Sequence, residues 1–153
     1  MSVIDELNHP GAQELLRTQP LVRVAYTGPD GFPRVIPIGF WWDGERIVVH
    51  TAPNAPKVRA LAARPQVALT IDTEIPPHRA LLIRGVATIQ VVEDVPSEYA
   101  AKVADDTRLR EAAQHARSVH ERMAWIAFEP RWARYYDFVG PRVPAFLLEL
   151  GQP

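Results

Sequence analysis

Leu21–Thr27 (LVRVAYT), Gly28–Gly31 (GPDG), Pro33–Trp42 (PRVIPIGFWW), Asp43-Gly44 and Arg46–Thr51 (RIVVHT) follow one another almost without a gap, and this alternation decides the fold. The apolar runs are rich in β-branched residues, which suit a half-buried pleated surface. Glycine supplies positive φ and proline presets φ near −65°, so GPDG reads as a turn. Asp43-Gly44 matches the positive backbone angles of a tight hairpin. The stretch is expected to form a three-strand meander.

Beyond it, Asn54–Ala63 carries Val58, Leu61 and Ala62 at helical spacing, and Arg64-Pro65 ends the helix because the residue before proline is pushed out of the α region. Gln66–Asp72 alternates, with Val67, Leu69 and Ile71 on one side and Ala68 and Thr70 on the other. Ala80–Val92 is a long β-branched run in which Gly85 predicts a bulge or bend. Upstream, Asn8-His9-Pro10 opens a short helix over Gly11–Arg17, with proline tolerated in the first turn.

From Pro96 to about His120 the composition shifts to Ala, Glu, Arg and Lys, which predicts two helices or one broken at Asp105-Asp106-Thr107. Met123–Phe128 and Arg131–Phe138, separated by Glu129-Pro130, return to strand, and a Pro-bounded apolar tail, Val143–Leu150, follows. Many short strands with local hairpins and few helices predict an α+β fold, mostly antiparallel. The expected form is a six- to seven-stranded barrel that hides its own edges, with a few flanking helices.

The 153 residues suit a single domain spanning 1–153, and 47% hydrophobic residues with 23% charged are ordinary for a globular chain. A formal charge of −1 argues against nucleic acid as a partner. The apolar runs are too short to span a bilayer and Met1–Pro10 lacks signal-peptide order, so a cytoplasmic protein is expected. Zero cysteines exclude disulfides, thiolate metal sites and thiol nucleophiles. Only Lys57 and Lys102 of the 17 basic residues are lysine, which singles both out.

No G-x-G-x-x-G, Walker or G-x-S-x-G motif occurs, and the serines are only Ser2, Ser97 and Ser118. His115 and His120 are five apart and turn to different sides of a helix, so no metal site is expected. Glu93-Asp94 and Asp105-Asp106 read as acidic helix starts, and Glu111 with His115 as a solvated helix face. No catalytic residue is assigned.

Gly31-Phe32-Pro33-Arg34-Val35-Ile36-Pro37-Ile38, then Trp42-Asp43-Gly44, Ile47–Thr51, Lys57, Leu61 and Arg64-Pro65-Gln66-Val67-Ala68-Leu69 stand in an order that resembles the pyridoxamine-phosphate-oxidase-like family, also called the flavin reductase-like split barrels. Weaker similarity runs through Met123–Phe138. The resemblance implies a homodimer of six-stranded split barrels with a flavin in each groove between subunits. It implies that Arg34, Val35, Ile36, Pro37 and Ile38 run along the flavin ring. His50 and Thr51 would lie near the ring and its ribityl chain, and Lys57 near the phosphate.

A helix N-terminus at Asn54–Lys57 would offer free N–H groups to the same phosphate. Arg59, Arg84 and Arg134 are further candidates to neutralise an acidic group. Of the aromatic residues Trp41, Trp42, Trp125, Trp132, Tyr135 and Tyr136, the candidates to stack on a planar ring are Trp132 and Tyr136, on one strand face with Arg134.

The chain departs from the oxidase branch at Ala55 and Pro56, where that branch carries Ser and Arg, and it has no match for that branch's C-terminal Arg and His. Oxidation of vitamin B6 is therefore not expected. A related branch binds the deazaflavin coenzyme, so the cofactor stands between FMN and deazaflavin. The expected function is an oxidoreductase that passes a hydride to or from a small planar substrate. The alternative is a non-catalytic split barrel that binds a flavin, a deazaflavin or haem.

Overall fold

The computed structural model of the chain describes residues 1–92 and 123–150, together with Lys102, Arg110 and Glu111. The helices expected between Pro96 and His120, and the pairs Glu93-Asp94, Asp105-Asp106 and Glu111 with His115, lie wholly or partly outside the described residues. Seven strands form one antiparallel sheet: β1 Leu21–Thr27, β2 Pro33–Gly39, β3 Trp41–Trp42, β4 Ile47–Thr51, β5 Gln66–Asp72, β6 Arg79–Val92 and β7 Met123–Asp137. The helices bounded within the described residues are α1 Val3–Leu7, α2 Pro10–Thr18, α3 Pro56–Ala63 and α4 Ala145–Glu149.

The strand order is β2-β1-β5-β6-β7-β4-β3, so β2 and β3 occupy opposite edges of the sheet. They are also consecutive in the chain, joined only by Phe40. Laid flat, seven strands would set those edges roughly 29 Å apart, whereas two peptide units reach about 7.6 Å. The sheet must therefore curl until its edges meet, which makes the α+β split barrel. Phe40 is fully buried at the join and belongs to the core.

The core fills the barrel from alternate positions: Val22 and Val24, Ile47 and Val49, Val67, Leu69 and Ile71, Leu81 and Ile83, Ile126 and Phe128. The turn expectations hold at Gly31 and Gly44, whose φ values of +83° and +101° favour glycine. Gly85 does mark a bulge, because the register slips between Arg84 and Gly85, but the extra residue, Arg131, is on the partner strand β7. A Cβ at Gly85 would stand 2.4 Å from the Glu129 carbonyl oxygen, so only glycine lets the strands close there.

Three expectations need correction. The three-strand meander does not form, because β4 pairs with β7 and not with β2. Pro33–Trp42 is two strands, since the chain changes partners at Phe40, pairing with β1 before it and β4 after it. Conversely, the two strands drawn around Glu129-Pro130 are one: Pro130 is paired with Gly85 at the bulge, where a missing N–H is tolerated. The strand count survives because the two errors cancel.

Ahead of the expected helix, which is α2, lies α1, started by a capping box between Ser2 and Asp5. It carries Glu6, only 1% exposed, into contact with β7. There Glu6 Oε2 accepts from the Tyr135 N–H at 2.8 Å, both carboxylate oxygens accept from Arg142, and Arg134 stands 3.5 Å away. Arg142 Nε also donates to the Tyr135 carbonyl at 3.2 Å. One carboxylate thus ties the first helix and the loop after β7 to the same strand.

Burial pushes the Glu6 carboxyl up, but the hydrogen bonds from Arg142 and Tyr135 and the two guanidinium charges outweigh it and hold the group below the ordinary glutamate value. A depressed carboxylate adds stability that is complete above the ordinary value and drains away as pH falls toward the folded one. Glu6→Gln should cost roughly 3–5 kcal/mol in urea unfolding at pH 7, since it strands Arg142. The cost should shrink as both proteins are taken to acid; an equal cost at pH 3 would remove Glu6 from this role.

Candidate functional site

Pairing of Trp41 with Val48 and Trp42 with Ile47, carried back along the chain, sets Gly39 opposite His50 and Ile38 opposite Thr51. Instead β2 hydrogen-bonds to β1, with Ile38 on Val22 and Gly39 on Leu21. The barrel splits here, and the seam leaves one edge of β2 free beside the end of β4. Of the expected ring-lining residues, Ile36 and Ile38 pack against the core, whereas Val35 and Pro37 point outward and are exposed. Pro33 and Pro37 contribute no N–H to either edge.

Arg34 is held within its own turn. Its guanidinium bonds both oxygens of Asp30 at 3.0 Å, donates to the Phe32 carbonyl at 3.0 Å and lies over Gly28, where a Cβ would meet it at 2.7 Å. The Asp30 carboxylate raises the already high Arg34 pKa, and the Arg34 guanidinium in return holds the Asp30 carboxyl low. Arg64, just past α3, reaches the Gly28 carbonyl at 3.3 Å and ties that helix end to the same turn.

At the other end of α3 the chemistry differs. Ala55 is its N-cap and makes no side-chain capping bond, and Pro56 opens the first turn. Pro56 has no N–H and the Val58 N–H donates to the Ala55 carbonyl at 3.0 Å, so in this first turn the Lys57 N–H is the one left to a ligand, beside the partial positive charge of the helix start. Lys57 stands in that turn, half-buried, and burial alone pulls its ammonium below the ordinary lysine value. Among the described residues no carboxylate pairs with it. A part-desolvated cation beside a helix start without a side-chain cap is chemically complementary to an anion.

Thr51, at the end of β4, is buried at 8% exposure and precedes this turn. His50 points to the outer side of the sheet, between Trp41 and Trp125, with ring centroids 4.9 and 5.4 Å away. Those indoles meet edge to face at 5.4 Å. Arg59 lies about 200° round the helix from Lys57 and is exposed, so the two charges are not brought together. The other lysine, Lys102, sets its Nζ 3.4 Å from the Phe40 ring centroid, over the residue that joins the barrel edges.

Trp132 lies on the outer face under the Arg84 guanidinium, 4.4 Å from its ring centroid, on β7, the strand that pairs with β4. Tyr136 and Arg134 do share a site: with Arg142, Pro141 and Val143 they line a cavity of about 310 Å³, and the Arg134 and Arg142 guanidinium groups are paired to the buried Glu6, which is not part of the lining. Arg142 and Glu6 are not singled out by the sequence; a lone arginine ahead of an apolar tail and an acid in a capped first helix were the available signals. Among the described residues no cluster could hold a metal ion, and no helix is long and apolar enough to cross a membrane.

A family model described as pyridoxamine 5'-phosphate oxidase matches residues 9–137. A solved structure named F420 Reductase is 25% identical, with 78% of this chain and 94% of that one covered at a TM-score of 0.56. HutZ from Vibrio cholerae, described as a heme storage protein, is 18% identical over 87% of this chain and 94% of its own, with a TM-score of 0.60. A protein from Clostridium acetobutylicum related to general stress protein 26 is 19% identical over 84% and 87%, also at 0.60. At those identities the last two are alike in fold alone. No curated protein matches.

Replacing the helix cap separates structure from binding. Ala55→Asp supplies the missing side-chain acceptor and should stabilise the protein by about 1 kcal/mol in thermal unfolding. The same carboxylate would occupy the anion position beside Lys57, so affinity for inorganic phosphate, measured by calorimetry, should fall. Unchanged phosphate binding would show that the anion does not sit at this turn.

Proposed function

The chain belongs to the pyridoxamine 5'-phosphate oxidase family, and from that premise we propose that it is an oxidoreductase whose seam holds the phosphate-bearing tail of FMN or of the deazaflavin coenzyme. The observation that carries this reading is Lys57: a half-buried ammonium with no carboxylate partner among the described residues, at the start of α3, which has no side-chain cap. Both coenzymes carry a phosphate, so the residues fit either one. The likeness to F420 Reductase supports the deazaflavin arm.

When bound, either coenzyme supplies a ring that carries a hydride to or from a small planar substrate. The chain's own share is to bind and orient. Lys57, through its ammonium and its own backbone N–H at the start of α3, fixes the tail by charge and dipole. The free edge of β2, with Val35 and Pro37 facing out, gives the ring an apolar flank beside the seam. Thr51 offers a hydroxyl between the two, and His50 sits on the outer side between indoles.

The reading includes a homodimer, with a second copy completing the groove and carrying Trp132 and Tyr136 toward the ring. Its support is exposed apolar surface: Val35, Val139 and the tail helix, whose Phe146 is 64% exposed and which buries none of its residues. Arg59 remains a candidate for a longer acidic tail reaching past α3. A second reading, a non-catalytic binder of a flavin, deazaflavin or haem, is favoured by Ala55 and Pro56, which bring no side-chain donor to the phosphate and remove one N–H.

Fluorescence titration with FMN and with the deazaflavin coenzyme tests the site. The native chain should bind one of them, and Lys57→Ala should weaken that binding at least about tenfold, the loss of one charge-assisted contact. Equal affinity in both proteins, or no binding of either coenzyme, would overturn the assignment. Reduction of the bound coenzyme by a nicotinamide or deazaflavin donor would separate the enzyme from the non-catalytic binder, and a monomer in light scattering would remove the shared groove.

A further inference from the structure

The cavity of about 310 Å³ beside Glu6 is bounded by the C-terminal end of β7 and by the loop that folds back along it. Two hydrogen bonds hold that loop in place: the Asp137 N–H donates to the Arg142 carbonyl at 3.3 Å, and Arg142 Nε donates to the Tyr135 carbonyl at 3.2 Å. Arg134, Tyr136, Pro141, Arg142 and Val143 line the space, and no carboxylate is among its lining residues. Three observations define what it would accept.

The first is charge. Arg142 is committed to structure, since it binds both Glu6 oxygens and only 19% of its side chain is exposed. The Arg134 side chain is 45% exposed, and one contact at 3.5 Å, the outer limit of a hydrogen bond, is all that its guanidinium makes with the described residues. Two guanidinium groups against one buried carboxylate leave one positive charge over, on a side chain that keeps most of its donors to offer. A guanidinium fork matches a carboxylate in plane and spacing, and a surplus of one charge suits a monoanion. The second is a neighbouring donor: Tyr136 shares the face of Arg134, roughly 7 Å along the strand, and its hydroxyl has no hydrogen-bond partner among the described residues. The third is the wall formed by Pro141 and Val143, whose side chains offer only carbon. A cavity of about 150 Å³ holds a benzene ring, so the space admits an apolar body of that size together with its carboxylate.

We propose that this cavity binds a small organic monocarboxylate, its carboxylate on the Arg134 guanidinium and the Tyr136 hydroxyl and its apolar body against Pro141 and Val143. The proposal uses neither the seam nor Lys57, and its test needs no coenzyme.

The test is equilibrium dialysis of the full chain, without coenzyme, against radiolabelled benzoate, benzamide or inorganic phosphate. Benzoate should bind with saturation, while benzamide, of the same shape but uncharged, and phosphate, which has no apolar body, should bind at least about tenfold more weakly. Arg134→Ala should weaken benzoate binding at least about tenfold, and Arg134→Lys, which keeps the charge without the fork, by less. Tyr136→Phe, which removes one oxygen, should weaken it at least about fivefold, and it keeps the proposal testable if Arg134→Ala does not fold. No binding up to the solubility limit, equal binding of benzamide or phosphate, unchanged affinity in Arg134→Ala or Tyr136→Phe, or a loss in Lys57→Ala as large as that in Arg134→Ala would each overturn the proposal, the last by seating benzoate at α3.

Discussion

A single buried residue connects strands on opposite edges of one sheet, and the architecture follows from that constraint. Phe40 lets the chain leave β1 and arrive at β4 within two peptide bonds, so the sheet has to close on itself. Because β2 keeps its hydrogen bonds to β1, the closure is a meeting of edges without a ladder between them. The gap that results is the seam. Its two walls, β2 on one side and the end of β4 with the start of α3 on the other, come together because the barrel was bent, not because they attract each other.

The seam and the Glu6 cluster show two different ways of handling a charge that has lost water. At Glu6 the carboxylate is deeply buried, and the protein surrounds it with two guanidinium groups and a backbone N–H, so its charge is fully answered from within. At Lys57 the ammonium is only half-buried, and no carboxylate among the described residues pairs with it. The first arrangement fixes structure. The second leaves an interaction to be completed by something that is not part of the fold, which is why the site is sought at Lys57 and not among the stronger ion pairs.

Much of the fold could be read locally. The inward positions of β5, Val67, Leu69 and Ile71, follow from simple alternation, and Asp43-Gly44 announces its turn. What could not be read is partner choice. Nothing local separates Ile36-Pro37-Ile38 from Trp41-Trp42, since both are apolar and extended; they differ only in which strand lies alongside. The same blindness made Glu129-Pro130 look like a break, when a bulge opposite Gly85 absorbs the proline. The Ser2 and Asp5 box was visible and marks α1, but its consequence, Glu6 reaching Arg142 from the far end of the chain, depends on the closed barrel. Within the seam, alternation already separates Val35 and Pro37 from Ile36 and Ile38. That Trp132 stands on the strand next to β4 requires the strand order, which no local pattern encodes.

A split barrel carries a danger that a closed one avoids, because a bare strand edge is a template on which another chain can polymerise. β2 is such an edge, and its two prolines answer the problem. Pro33 and Pro37 cannot donate to an incoming strand, so a continuous ladder cannot grow there, while the remaining backbone groups stay open to a ligand that asks for only one or two of them. The strand can therefore be sticky toward a small molecule and inert toward its own kind, which lets the protein keep an open groove in a crowded solution without paying for it in aggregation.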